Sequence, residues 1–294
     1  MNLVNRFYSD LVFFSLFFSI FFCFMCSFVD NLVSFWVFLE LCGLSIVPSF
    51  FYSQGSSIYG FYSSLLTYII MSGLSSVMLI SGNFIVMNLY YFIFLGFLIK
   101  FGLFPFSLWV YRVFSESNWA FIFFLSVVLK FPILFFCFLF QNFSLYMVYG
   151  DCFLTILMCT LFFWFFSSDW EFIWCHISLS SVSTLLVACF CSSVEYCFFI
   201  YFYYCFWAVF CIFYFSSLGD DGSINNSNFW LFCFLLLVTP VSLPLFYKLS
   251  VCYAIFYSSF YILFVWSLYS FSEQFFLYKL SSNYFFSMVK NFWV

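Results

Sequence analysis

Residues 119–140 read Trp119-Ala120-Phe121-Ile122-Phe123-Phe124-Leu125-Ser126-Val127-Val128-Leu129-Lys130-Phe131-Pro132-Ile133-Leu134-Phe135-Phe136-Cys137-Phe138-Leu139-Phe140, twenty-two positions with one charge at the twelfth. At about 1.5 Å per residue, a helix of this length crosses a hydrocarbon core of roughly 30 Å. Strands of a transmembrane barrel alternate apolar and polar residues over about ten positions; this run is apolar throughout, so it reads as a helix. Nine more segments follow the same rule: 11–29, 31–52, 59–81, 84–110, 145–167, 171–192, 195–216, 228–252 and 254–272.

Composition agrees with a lipid solvent. Of 294 residues 67% are hydrophobic, 58 are Phe, and only 18 carry formal charge (7 basic plus 11 acidic). Soluble chains hold about 25% charged residues, so an aqueous surface cannot be assembled from this one. The expectation is an all-α polytopic bundle of about ten helices, residues 1–294 forming one integral membrane domain. The connections are short polar breaks: 53–57, Gly82-Asn83, 115–118, Ser167-Ser168-Asp169 and, longest, 219–226. Residues 274–294, with Lys279 and Lys290, read as an eleventh, poorer span or as an interfacial helix, and the interface is favoured.

The net charge of −4 is spread thinly and forms no basic patch, which removes nucleic acid as a partner and leaves lipid. Fourteen cysteines lie mostly singly in apolar runs, away from any His cluster, so they read as small apolar filler and no metal site is expected. Ser63, Ser64, Ser72, Gly73, Ser75 and Ser76 gather in segment 59–81 and read as close helix packing. No basic n-region or Arg/Ser-rich leader precedes the first apolar run, which is therefore expected to stay as a membrane helix. The dominance of Phe, Leu, Tyr, Cys and Val suits a T-rich coding strand and synthesis inside an organelle; a nuclear gene with a removed presequence would overturn that. With ten helices, Arg6, Arg112, Lys279 and Lys290 share the N-terminal side, which the positive-inside rule assigns to the compartment of synthesis.

The residues able to carry chemistry are those a membrane normally excludes. Glu40, Lys100, Lys130 and Lys248 fall inside apolar segments, at about 2.5 to 3.5 kcal/mol each on insertion scales. Glu40 and Lys130 lie mid-segment, too deep to reach a headgroup. Each lysine lies within five residues of a proline, Lys100 before Pro105, Lys130 before Pro132 and Lys248 after Pro244, in a chain with only five prolines. Proline removes a donor and collides with the carbonyl one turn back, so helix breaks are expected at Pro105 and at Pro240/Pro244. Carbonyls freed in lipid need water or a polar neighbour. Two readings remain open: a proton relay, which uses the surplus of lysines over carboxylates, and a structural strut in which Glu40 pairs with one lysine.

Four stretches resemble one family. Phe35-Trp36-Val37-Phe38-Leu39-Glu40-Leu41-Cys42-Gly43-Leu44-Ser45-Ile46-Val47-Pro48 is similar to the Trp-x-x-Leu-Glu…Pro helix of NADH:ubiquinone oxidoreductase chain 2, a membrane-arm subunit of respiratory complex I. Leu98-Ile99-Lys100-Phe101-Gly102-Leu103-Phe104-Pro105-Phe106-Ser107-Leu108-Trp109 resembles its Lys-x-Gly-x-x-Pro-Phe-x-x-Trp motif, and Leu129-Lys130-Phe131-Pro132 its next lysine turn, with the proline displaced by one. The stretch from Pro240 to Lys248 is similar to the second broken helix of the family, without the usual glycines. The motifs stand in family order over roughly residues 35–255.

The resemblance implies an antiporter-like fold lacking the first three helices of the full form, in the mitochondrial inner membrane with the N-terminus in the matrix. It also implies a proton-translocating subunit in which Glu40 holds Lys100 and the proton passes to Lys130, with Lys248 gating the far side. No cofactor is expected on this chain; NADH, FMN, iron–sulfur clusters and ubiquinone would belong to partner subunits, beside neighbouring antiporter-like subunits. His176 stands where the family often has tyrosine, and Ser181 where it has histidine, which leaves His176 as either a relay member or a buried structural residue. A self-standing cation/proton antiporter and a scaffold without pumping are the alternatives.

Overall fold

The computed structural model describes residues 3–52, 58–84, 89–139, 145–167, 169–218 and 229–285, and every regular element among them is helical. The helices are α1 (Leu3–Cys26), α2 (Leu32–Ile46), α3 (Ile58–Phe84), α4 (Leu89–Phe101), α5 (Leu108–Glu116), α6 (Trp119–Ser126), α7 (Phe131–Leu139), α8 (Leu145–Phe166), α9 (Trp170–Cys191), α10 (Val194–Leu218), α11 (Phe229–Leu236), α12 (Leu243–Phe256) and α13 (Phe260–Phe285). Single 3-10 turns, Val47–Tyr52 and Val128–Lys130, extend α2 and join α6 to α7. Among the described residues seven helical stretches are long and apolar enough to cross a membrane. Phe13, Phe17, Phe165, Phe213 and Trp230 stand on the outer surface at two thirds exposure or more, which suits lipid and not water. The protein is a membrane-spanning helical bundle.

α9 is the axis of the molecule. Every residue from Ile173 to Cys189 is buried, and α5, α7, α8, α10 and α12 all pack against it. A helix hydrophobic all round would serve that position, yet α9 carries Ser178, Ser180, Ser181, Ser183 and Thr184. Each of these hydroxyls donates to the carbonyl three residues back, at 2.7 to 3.2 Å, so no donor is left bare in the apolar interior. The oxygens keep accepting capacity. Elsewhere the core is aromatic: Phe97 stacks on Phe136 at 4.0 Å between ring centroids, and α3 reaches α4 closely because Gly96 has no side chain. A Cβ there would lie 2.9 Å from Leu79 Cγ and 3.0 Å from the Ser75 carbonyl oxygen.

Three spans are broken, and at each break an aromatic side chain donates to a backbone carbonyl. Between α4 and α5 the Trp109 indole donates to the Ile99 carbonyl at 3.0 Å. Between α6 and α7 the Tyr201 hydroxyl donates to the Val127 carbonyl at 3.2 Å. Between α11 and α12 the Trp207 indole donates to the Leu235 carbonyl at 2.7 Å. Internal donors of this kind let irregular backbone persist at membrane depth. The turn after α4 passes through Gly102 at φ +67°, where a Cβ would fall 2.1 Å from Val110 Cγ2. After α11 the left-handed position is filled by Val241 at φ 72°, a strained conformation for a β-branched residue.

Several sequence expectations are corrected. Segments 84–110 and 228–252 are each divided in two near Pro105 and Pro240, whereas segment 119–140, read as one helix, is also two, α6 and α7, joined by the turn Val128–Lys130. Pro244 does not break a helix; it sits in the first turn of α12, where its missing N–H costs nothing. Gly82-Asn83 does not interrupt α3, which runs to Phe84. The boundary drawn after residue 272 is also absent. α13 continues to Phe285, so Lys279 belongs to this helix and not to a separate interfacial segment. The breaks expected at 53–57, Ser168 and 219–226, and Lys290, lie outside the described residues.

Candidate functional site

Lys100 is the penultimate residue of α4, one turn ahead of the break. Its Nζ donates to Glu40 Oε1 of α2 at 2.9 Å and to Ser72 Oγ of α3 at 3.0 Å. Ser72 in turn donates to Glu40 Oε2 at 3.4 Å. The ammonium is lodged against Gly43, where a Cβ would come within 3.3 Å of Lys100 Nζ and of the Tyr68 hydroxyl. Ser72, assigned to packing on sequence grounds, is thus a ligand of the pair, while Ser76 donates to the Gly73 carbonyl of its own helix at 2.7 Å.

Lys130 closes the turn between α6 and α7 and is 2% exposed. Its Nζ donates to the Ser178 carbonyl at 2.9 Å, to the Ser181 hydroxyl, and to the Tyr204 hydroxyl at 2.8 Å. It also lies 4.0 Å from the centre of the Tyr204 ring. All of these ligands are neutral, and among the described residues Lys130 makes no ion pair. An amine so placed is stabilised as a cation only by dipoles and a ring face.

Lys248, in the second turn of α12, faces Glu273 of α13, with Nζ 3.0 Å from Oε2. The contact is ionic without hydrogen-bond alignment. Glu273 is 2% exposed and was missed in the sequence because the preceding segment was closed at 272. The apolar run Phe275-Phe276-Leu277 beyond it was the available signal that the helix goes on. Gln274, its neighbour, accepts from the Val238 amide at 2.8 Å and donates to the Leu236 carbonyl at 3.3 Å, so α13 also ties down the break between α11 and α12.

Lys100 and Lys130 line one cavity of about 30 Å³, together with Phe101, Leu129 and Ser178 among others. A water needs about 10 to 15 Å³ of such space and two to four polar partners. The cavity therefore has room for about two waters. His176 stands apart. It is fully buried, its Nδ1 lies 2.8 Å from the Tyr111 hydroxyl, and its Nε2 has no hydrogen-bond partner. The structure brings together Glu40, Lys100 and Lys130, and separately Lys248 with Glu273; His176 contacts none of them.

Among the described residues no group of three or more His, Cys, Asp or Glu side chains converges as a metal site would. No protein-family model and no curated protein sequence matches this chain.

Proposed function

We propose that the chain is a proton-translocating membrane-arm subunit of a respiratory NADH:ubiquinone oxidoreductase of the complex I type, housed in the mitochondrial inner membrane. The observation that carries the reading is the small cavity lined by two lysines, one paired with Glu40 and the other held by neutral oxygens alone. While Glu40 and Ser72 hold Lys100, its proton stays in place. Moving the carboxylate away removes the charge that keeps Lys100 an ammonium, and the proton can pass through water in the cavity to a neutral Lys130. Lys248 then controls onward release. NADH oxidation, FMN, iron–sulfur clusters and ubiquinone belong to partner subunits, and the catalytic assignment applies to the complex and not to this chain alone. The motif resemblance at Glu40, Lys100 and Lys130 and the membrane-spanning bundle support this reading.

The test is affinity purification of the chain from its native membrane, followed by NADH-driven proton uptake into vesicles carrying Lys130→Met. Co-purification with a quinone reductase, with uptake lost while the assembled complex persists, is the expected outcome. Purification alone with cation/proton exchange in liposomes would make it a self-standing antiporter. Unchanged uptake in Lys130→Met overturns the relay.

A further inference from the structure

The relay as drawn ends at an amine, yet the lysine that would gate release is not free: Lys248 is held by a buried carboxylate. Glu273 lies at the fourteenth of 26 positions in α13, far from either helix end. It faces Lys248 of α12 and accepts a hydrogen bond from Gln274 at 3.3 Å. Tyr247, next to Lys248 in α12, packs on Tyr204, the hydroxyl ligand of Lys130, with ring centroids 5.8 Å apart. A row of hydroxyls, Ser181, Tyr204 and Tyr247, thus leads from Lys130 towards the turn of α12 that carries Lys248.

We infer that Glu273 is the carboxylate that receives the proton leaving Lys130, with Lys248 as the cation that holds it ionised until then. This rests on the proposed relay. The Lys130 ammonium gives up H⁺ to the hydroxyl row and becomes a neutral amine, and the Glu273 carboxylate gains H⁺ and becomes a carboxylic acid. No other bond changes, and Lys248 keeps its charge. A carboxylate without its charge no longer holds Lys248, so each transfer loosens the pair next to the break between α11 and α12. Gln274, which clamps that break and hydrogen-bonds Glu273, is placed to feel the change. The arrangement mirrors the other end of the site, where Glu40 and Lys100 are paired beside the first break.

The experiment uses the intact complex in native vesicles, comparing Glu273→Gln, Glu273→Asp and Lys130→Met for NADH-driven proton uptake, with infrared difference spectra recorded on energisation. Loss of a positioned proton acceptor lowers the rate about 100-fold, so Glu273→Gln is expected to fall that far and Glu273→Asp to recover part of it. A protonated-carboxyl C=O band is expected to appear on energisation, vanish in Glu273→Gln and shift in Glu273→Asp. If Lys130→Met abolishes uptake while Glu273→Gln pumps normally and no such band depends on Glu273, the inference fails and the relay stands. If Lys130→Met pumps normally, the relay itself fails. Should Glu273→Gln not assemble, the shifted band and partial rate of Glu273→Asp decide, and a band that does not shift overturns the inference.

Discussion

Lys100 and Lys130 both sit beside a helix break, both are buried, and they share one cavity, but their surroundings differ in kind. Lys100 has a carboxylate at 2.9 Å; Lys130 has a carbonyl, two hydroxyls and a ring face. The first is a charge that another charge stabilises. The second is a charge that only dipoles stabilise, in a place where water is scarce. In the proposed relay this difference sets the direction in which the proton passes, and a change at Glu40 alters it. The Lys248–Glu273 pair shows that the pattern of break, lysine and carboxylate occurs twice, with the unpaired lysine between the two.

Stability measurements can break this comparison. Removing one partner of a buried ion pair leaves the other charge stranded, so Glu40→Leu is expected to destabilise the protein by about 3 kcal/mol, read as a lowered unfolding midpoint in detergent. The loss is expected to shrink in Glu40→Leu/Lys100→Met, since no orphan charge remains. Tyr204→Phe keeps the ring beside Lys130 but deletes its hydroxyl, and a hydrogen bond to a charged group is worth about 1.5 to 3 kcal/mol. A loss near 2 kcal/mol is expected there, with none in a Lys130→Met background. Val241→Gly relieves the positive φ and is expected to stabilise by about 1 kcal/mol. The smallest change is expected from Lys130→Met, because replacing a buried ion by an apolar side chain of similar shape is often neutral or stabilising. A variant that pumps nothing yet unfolds no earlier would separate the functional lysine from a structural one, and strong destabilisation of Lys130→Met would argue for the strut.

Some of this was open to reading and some was not, for identifiable reasons. The run of 119–140 could be read as a helical span because lipid leaves few choices for a long apolar segment, but its division into α6 and α7 could not. The breaks near Pro105 and Pro240 could be read because proline acts on its own backbone. Pro244 misled, since a proline one turn into a helix and a proline that ends one look alike in a string of letters. The extent of α13 misled for another reason: Glu273 lowered the local hydropathy just where a counter-ion was buried, and a charge satisfied by a distant lysine looks like a segment end. Ser72 was read as filler because its role depends on α2 and α4 arriving beside it.

What the chain of residues settled without folding was its solvent and its cast: a helical membrane protein with a few buried charges placed beside prolines, since those properties follow from each side chain's cost in lipid and from local backbone geometry. Which charge faces which was settled by packing alone. Glu40 meets Lys100 sixty residues away, Lys130 is left among hydroxyls from α9 and α10, and Lys248 finds Glu273 on the last described helix. Coulomb energy in a medium that screens little depends steeply on a few ångströms of separation, and only the crossing of helices sets those distances.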